Sequence, residues 1–122
     1  MRTVLIIEDN LEIRENTAEI LELAGFKVAG AINGREGIQM ASSMTPDLIL
    51  CDIMMPEVSG YEVLSELKKN PNTKQIPFIY VTASTEKKEI QRALQMGADG
   101  YVSKPFDVNE LMTTIDHALK KL

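Results

Sequence analysis

Polar side chains of the types that bind cations and phosphoryl groups follow four short apolar runs of this sequence. Glu8 and Asp9 come directly after VLII, and Asp52 comes directly after LILC. Thr82 follows FIYV, and Lys104 stands shortly after GYV. Short apolar runs are typical of strands buried on both faces, and parallel sheets gather their ligand sites at the carboxyl ends of strands. We therefore expect three carboxylates, a hydroxyl and an ammonium to converge at one edge of a parallel sheet.

This combination suits a divalent cation, a phosphoryl group and a nucleophile. Three clustered carboxylates are costly unless a cation neutralises them. Magnesium is the natural candidate, because it prefers hard oxygen ligands and the sequence offers no histidine or thiolate there to favour zinc. The Asp52 carboxylate could attack phosphorus to give an aspartyl phosphate, and Thr82 and Lys104 could bind phosphoryl oxygens.

Taken singly, each of these residues has a simpler explanation. Glu8 and Asp9 could merely favour the positive end of the first helix. Asp52 could form a turn, Thr82 could be a β-branched strand residue or a helix cap, and Lys104 could be a solvated surface lysine. The functional prediction therefore depends on the pattern and not on any one residue.

Size and composition favour one globular domain spanning residues 1–122. The chain has 122 residues, 44% hydrophobic and 25% charged, which is ordinary for a domain with its own core. Its net charge of −5 repels nucleic acid and anionic lipid, so we expect direct binding to neither. No apolar stretch approaches a membrane span and no signal peptide is evident, so we expect a cytoplasmic protein. Cys51 is the only cysteine, which excludes an intramolecular disulfide.

Strand-like runs alternate with helical patterns five times along the chain. Asn10 is a plausible N-cap for a first helix whose apolar residues include Ile13, Ile20, Leu21 and Leu23 or Ala24. A short strand at 27–31 and helices from Gly34 and around Val63 follow. This alternation predicts an α/β fold, a (βα)5 doubly wound parallel sheet of order 2-1-3-4-5. The order reverses between the first and third strands, which places a crevice beside Asp9 and Asp52.

The last two helices are predicted from helical spacing of apolar residues. Residues 85–96 read as a fourth helix, with Ile90, Ala93 and Leu94 facing inward. Asp107 and Glu110 resemble a capping box for a fifth helix. Its expected buried stripe is Leu111, Ile115, Ala118, Leu119 and Leu122.

The motifs IIEDN, LILCDIMMPEVSG, VTAS and GADGYVSKPF, in this order and spacing, resemble the receiver domain of two-component response regulators, the CheY-like family. The resemblance covers essentially the whole chain. It implies a flavodoxin-like sheet, a role as a phosphorylation-dependent signalling switch, and Mg²⁺ as cofactor.

The resemblance also assigns roles to particular residues. Asp52 becomes the phosphoacceptor, and Glu8 and Asp9 the acidic pair of the magnesium site, with the backbone carbonyl of Met54 as a further metal ligand. Thr82 and Lys104 become catalytic, and Thr82 and Tyr101 form the switch. The peptide bond between Lys104 and Pro105 is expected to be cis. Met54 and Ser84 resemble positions that tune the lifetime of the phosphoryl group.

The partners implied by the resemblance are a sensor histidine kinase or a phosphotransfer protein that presents phosphohistidine. The receiver would catalyse its own phosphorylation and dephosphorylation, so it would not be a turnover enzyme on an external substrate. The face formed by the fourth helix, fifth strand and fifth helix would control an output domain or partner. We expect a monomer or a phosphorylation-linked dimer. The exposed side chains there are Lys87, Lys88, Gln91, Arg92 and Tyr101, although a merely solvated helix face is an equal alternative.

Two other functional classes remain open at this point. A receiver could dock partners constitutively and never use phosphate. An enzyme on a similar sheet, a flavin carrier or an aspartate-dependent phosphatase, is the other possibility. Glu8, Asp9 and Asn10 occupy the loop where a flavin phosphate would bind, and position 54 is Met where such phosphatases place a second aspartate, so both features count against this class.

Overall fold

The computed structural model describes residues 1–83 and 86–120. Strands and helices alternate throughout these residues. The strands are β1 (Thr3–Ile7), β2 (Lys27–Ala31), β3 (Leu48–Asp52), β4 (Phe78–Thr82) and β5 (Gly100–Ser103). The helices are α1 (Leu11–Leu23), α2 (Gly34–Met44), α3 (Gly60–Lys69), α4 (Lys87–Gln95) and α5 (Val108–Lys120).

The five strands form one parallel sheet in the order β2-β1-β3-β4-β5. This confirms the predicted doubly wound α/β fold and its strand order. The register aligns the carboxyl ends of the strands, because Ile7 pairs with Cys51 and Asp52 pairs with Val81. On the outer strand β5, Ser103 pairs with Thr82 of β4. Residues that end these strands, or follow them, therefore lie close to one another.

The sheet is buried on both faces, which explains the uninterrupted apolar runs. Alternate side chains of each strand point to opposite faces. One face carries Ile7, Cys51 and Tyr80 and packs against α2, α3 and α4. The other face carries Ile6 and Val81 and packs against α1 and α5. Because helices pack against both faces of the sheet, the strand ends have fixed positions relative to one another.

Three helices begin at side-chain caps close to the carboxyl edge of the sheet. Asn10 and Asn33 cap α1 and α2 by accepting hydrogen bonds from the N–H groups of Ile13 and Glu36. Ser59 and Glu62 form a reciprocal capping box at the start of α3. The Asn10 cap was predicted. Because it starts α1 at Leu11, the positive end of this helix lies close in sequence to Glu8 and Asp9.

Two apolar residues of the helical patterns are exposed, and the inward direction predicted for Leu94 was wrong. Leu23 is 83% exposed, because it lies about 200° around α1 from the buried Leu21. Leu94 is 46% exposed, because Ala93 occupies the inward position of α4. In α5, the Asp107 carboxylate accepts a hydrogen bond from the N–H of Asn109 (2.8 Å), so it caps a different N–H from the one in the predicted box.

The predictions for Ser84, for the first residue of the fourth helix at position 85 and for Leu122 fall outside the described residues. Leu111, Ile115 and Ala118 are buried in α5 as predicted. None of the helices within residues 1–83 and 86–120 has the length and apolar character needed to cross a lipid bilayer.

Candidate functional site

Residues at the carboxyl edge of the sheet bring together the side chains singled out in the sequence. Glu8 directly follows β1, Asp52 is the last residue of β3, and Thr82 is the last residue of β4. Lys104 directly follows β5, and its N–H donates to the Thr82 carbonyl at 2.7 Å. Glu8, Asp52 and Thr82 are all buried, whereas Asp9 is exposed at the rim. The site is therefore a largely buried pocket with one solvent-facing carboxylate.

Lys104 lies at the centre of this pocket and pairs with two carboxylates at once. Its Nζ lies 2.6 Å from Glu8 Oε1 and 3.1 Å from Asp52 Oδ2. The lysine side chain is only 15% exposed, and those of Glu8 and Asp52 are 4% and 8% exposed. Such charge-assisted hydrogen bonds are short and strong, and one cation here holds two buried anions together.

The backbone and side chain of Glu8 are fixed by four separate hydrogen bonds. Its N–H donates to the Ala31 carbonyl at 3.1 Å, and its own carbonyl accepts from Arg14 Nη1 at 2.8 Å. Its second carboxylate oxygen, Oε2, accepts from the Asn10 N–H at 3.2 Å. With the Lys104 contact, every polar group of Glu8 has a partner, so the position of this carboxylate is closely defined.

The pKa values in the pocket follow from burial and from neighbouring charges. Burial raises the pKa of Glu8 above its ordinary value, and the charge of Asp52 raises it further, although the hydrogen bond from Lys104 works in the opposite direction. Burial by itself would lower the pKa of Lys104, but the hydrogen bond to Glu8 and the nearby charge of Asp52 outweigh it and leave this pKa raised. Lys104 is consequently a firmly protonated cation at neutral pH.

Glu8, Asp9 and Asp52 meet the requirements of a small, hard cation. One oxygen of each carboxylate can be chosen so that all three lie within 4.8 Å of one another. Mg²⁺ typically uses one or two carboxylates and completes its shell with water and phosphate oxygens, so the exposed side at Asp9 suits it. The donor set therefore fits magnesium, and these three carboxylates would hold it.

The loop after β3 is folded tightly against the site. The Met54 N–H donates to Asp52 Oδ1 at 3.3 Å, while the Met54 side chain is 71% exposed. The Gly60 N–H donates to the Ile53 carbonyl at 2.8 Å, and a Cβ on Gly60 would collide with the Asp52 carbonyl oxygen. A glycine is therefore required where the start of α3 approaches the backbone of Asp52.

The two residues predicted to form the switch lie on neighbouring strands. Thr82 is 2% exposed at the end of β4. Tyr101 is half-buried in β5, directly beside Tyr80 in the sheet, and packs against the core on that face. The Lys104–Pro105 peptide bond is cis.

The candidate partner surface on α4 is exposed along Lys87, Lys88, Gln91 and Arg92. Arg92 also stacks its guanidinium 4.1 Å above the ring of Tyr61 in α3, a cation–π contact that links the two helices. Beside α4, a shallow depression of about 310 Å³ is lined by residues that include the exposed Leu94 and His117 and the half-buried Tyr101. The α4–β5–α5 face is therefore open to solvent.

Sequence reasoning missed several residues that shape the site. Arg14 binds the Glu8 carbonyl, and nothing in the local sequence distinguishes it from a solvated helix arginine. Gly60 was also missed, and so was the Ser59–Glu62 capping box. The box did carry a signal, because a serine followed three residues later by a glutamate is typical of a helix start.

Comparison with known proteins identifies a family. The model of the response regulator receiver domain matches residues 4–116. The chain is 38% identical over 122 residues to response regulator SaeR of Staphylococcus aureus, a match that covers all of this chain and 52% of SaeR. It spans about half the length of the curated relatives it matches.

Solved structures agree with this relationship. The chemotaxis protein CheY4 of Vibrio cholerae superposes with a TM-score of 0.91 at 30% identity, covering 97% of this chain and 98% of that protein. The receiver domain of a signal transduction histidine kinase from Syntrophus aciditrophicus gives a TM-score of 0.90 at 33% identity. That superposition covers 100% of this chain and 92% of the other.

Proposed function

Because this chain belongs to the response regulator receiver family, whose members are switches of two-component signalling and generally not turnover enzymes, we propose that Asp52 is its phosphoacceptor. The phosphoryl donor is a phosphohistidine on a sensor histidine kinase or a phosphotransfer protein. The reaction makes this chain both the catalyst and the product, and the phosphorylated form carries the signal.

One observation carries this proposal. The Lys104 ammonium bridges Glu8 and Asp52 in a buried pocket, with Nζ 2.6 Å and 3.1 Å from their oxygens. A structural ion pair needs only one carboxylate, whereas this pocket holds two and has a third, Asp9, at its open rim. An excess of buried carboxylate around one lysine favours a site that receives a cation and a phosphoryl group.

In the proposed transfer, an oxygen of the Asp52 carboxylate attacks phosphorus. The new bond joins this oxygen to phosphorus, and the bond between phosphorus and the histidine nitrogen breaks. The electron pair of that bond stays on the imidazole, which then takes up a proton. Lys104 and the Thr82 hydroxyl bind the transferring oxygens, so that positioning and electrostatic stabilisation lower the barrier.

Magnesium, held by Glu8, Asp9, Asp52 and the Met54 carbonyl, would neutralise charge on the phosphoryl oxygens. The carboxylates would hold the metal, and Lys104, which contacts Glu8 and Asp52 directly, would bind phosphoryl oxygens beside them. Because Asp9 faces solvent, the donor phosphate can approach from that side. Hydrolysis of the aspartyl phosphate by water then resets the switch.

Phosphorylation would be transmitted through Thr82 and Tyr101 to the α4–β5–α5 face. The Thr82 hydroxyl moves toward the phosphate, and the half-buried Tyr101 ring turns into the space that becomes available. This is a two-state element biased by a local charge, and the face it alters binds an output partner or domain. Phosphorylation also favours a dimer if that face associates with itself.

The test is incubation with acetyl phosphate and Mg²⁺, followed by intact-mass measurement. Asp52→Asn removes the nucleophile, and Asp116→Asn is the matched control because Asp116 lies on the exposed surface of α5. We expect a phosphoryl adduct on wild type and on Asp116→Asn, no adduct on Asp52→Asn, and no adduct when a chelator is present.

An adduct of equal yield on Asp52→Asn would overturn the proposal. Absence of any adduct on folded wild-type protein, with either acetyl phosphate or a phosphorylated histidine kinase as donor, would favour a module that docks partners without phosphate.

A further inference from the structure

The side chain of Arg14 reaches back from α1 to the end of β1. Its Nη1 donates to the backbone carbonyl of Glu8 at 2.8 Å. The arginine is half-buried and lies along Gly30 of β2, where a Cβ would come within 3.2 Å of Arg14 Cδ. The absence of a side chain at position 30 therefore leaves the space through which Arg14 reaches Glu8.

We infer that Arg14 is a positioning residue for the metal-binding carboxylate of Glu8. This inference rests on the proposed function, because it names a residue that prepares the same site. Arg14 contacts the backbone of Glu8 and makes no described contact with its carboxylate. Arg14 therefore controls the position of the carboxylate through the backbone. The groups that bind the carboxylate directly, Lys104 and the Asn10 N–H, are not altered by a substitution at Arg14.

The geometry gives Arg14 a role that the other three bonds to Glu8 do not fill. The Glu8 N–H is held by Ala31, which fixes the strand but leaves the following peptide plane free to tilt. Arg14 holds the carbonyl on the other side of the residue and so fixes that plane. A glutamate has one more rotatable bond than an aspartate, so its carboxylate samples more positions when its backbone moves. Fixing the backbone therefore limits the positions open to the metal-binding oxygens.

The contact is to a neutral backbone carbonyl and not to the carboxylate, whose nearest described cation is Lys104 at 2.6 Å. Groups outside the ligand shell that orient a ligand typically change metal affinity by about 10- to 100-fold when they are removed. Since Arg14 acts through the backbone, we place its effect at the low end of this range.

The first experiment measures Mg²⁺ binding by calorimetry for wild type, Arg14→Met and Arg14→Lys. Arg2→Met is the matched control, since it removes the same charge at the opposite end of β1. We expect the dissociation constant to rise about tenfold in Arg14→Met, to recover partly in Arg14→Lys, and to stay within about twofold of wild type in Arg2→Met.

A second variant separates position from charge. Gly30→Ala keeps Arg14 and its charge but crowds its side chain, so it should weaken Mg²⁺ binding about two- to threefold. The same substitution made on the Arg14→Met background should have no further effect, because the arginine it displaces is gone. Additive effects would overturn the inference.

A readout in the metal-free protein tests the positioning itself. The Asn10 N–H donates to Glu8 Oε2, so its hydrogen exchange reports whether the carboxylate stays in place. We expect Arg14→Met to speed exchange at Asn10 while the Gly60 amide, bonded to the Ile53 carbonyl, is unchanged. Equal acceleration at both amides would indicate a purely structural role for Arg14 and would overturn the inference.

Phosphorylation kinetics complete the test. In Arg14→Met the Mg²⁺ concentration for half-maximal reaction with acetyl phosphate should rise, whereas the rate at saturating Mg²⁺ should stay within about twofold of wild type. A lower saturating rate would mean that Arg14 acts in catalysis and would overturn the positioning role. If wild type neither binds Mg²⁺ nor forms an adduct, the proposed function fails. If wild type does both and Arg14→Met behaves as Arg2→Met does, only this inference fails.

Discussion

Replacing Lys104 with methionine would leave two buried carboxylates without their shared cation. The Lys104 Nζ lies 2.6 Å and 3.1 Å from the oxygens of Glu8 and Asp52. At an effective dielectric constant of about 20, each pair contributes about 5 to 6 kcal/mol of gross attraction. Much of this is offset by the cost of removing the ammonium from water. Methionine fills a similar volume, so the loss of charge dominates the effect.

Protonation of Glu8 limits the part of the loss that comes from repulsion between the two carboxylates. A carboxyl with an ordinary pKa of 4.5 takes up a proton at a cost of about 4 kcal/mol at about pH 7.5 and about 1.4 kcal/mol at about pH 5.5. The variant can always relieve the repulsion in this way. We therefore expect Lys104→Met to lower the free energy of unfolding by about 2 to 4 kcal/mol at about pH 7.5, and by about 1 kcal/mol at about pH 5.5.

The direction of this pH dependence follows from proton linkage. The pKa of Glu8 is raised in the folded state, so between 4.5 and that higher value the folded protein binds more protons than the unfolded chain. Its stability therefore falls as the pH rises through this window, and Lys104→Met extends the window upward. The pKa of Lys104 is raised as well, so its own contribution in wild type is complete at neutral pH and disappears only above 10.5.

Urea unfolding of metal-free protein at the two pH values provides the assay. Lys120→Met is the control, because its pair with Asp116 is exposed on α5 and such pairs contribute at most about 1 kcal/mol. Added Mg²⁺ should recover part of the loss in Lys104→Met by binding the folded state. If Lys104→Met loses no more stability than Lys120→Met, and equally at both pH values, then the buried charges do not interact as the structure indicates.

Three further predictions concern stability and reactivity away from the charged pocket. The Tyr80 hydroxyl is buried without a hydrogen-bond partner among the described residues, so Tyr80→Phe should raise the free energy of unfolding by about 1 kcal/mol in a urea titration. A lower free energy of unfolding in the variant would mean that the hydroxyl is hydrogen-bonded. Thr45 caps the C-terminus of α2 with a φ of 42°, so Thr45→Gly should stabilise the protein by about 1 kcal/mol, whereas Ser43→Gly, inside the same helix, should destabilise it by about 0.5 kcal/mol. Thermal melts in which both variants shift in the same direction would contradict this. Cys51 is fully buried and burial raises the pKa of its thiol, so it should react with a thiol reagent at about pH 8 only when urea unfolds the chain, and fast reaction of the native protein would refute its core position.

The fold was predictable because its signal is local and repeated. Uninterrupted apolar runs such as LILC mark strands buried on both faces, and helical spacing between them requires crossover connections. Right-handed crossovers then leave few possible topologies. Helix faces were less predictable, as Leu23 and Leu94 demonstrate, because an apolar residue at the margin of a stripe can remain exposed when its neighbour fills the inward position.

Much of the candidate site was also predictable from position along the chain. Any residue directly after a strand of a parallel sheet lies at the same edge, which brought Glu8, Asp52 and Thr82 together without knowledge of their contacts. The pairing of Lys104 with both carboxylates was not predictable, since it depends on the path of a long side chain between strand ends.

Local patterns of apolar residues already specify which chemical groups this protein brings to one edge of its sheet, because strand ends and their order follow from those patterns. How those groups are held depends on contacts between elements of the folded chain. These contacts join residues of different elements. They are the hydrogen bond from Arg14 to the Glu8 carbonyl, the packing of Arg14 over Gly30 and the close approach of Gly60 to Asp52. Such contacts are set by distances of a few tenths of an ångström between packed elements, and no local sequence pattern encodes distances of that kind.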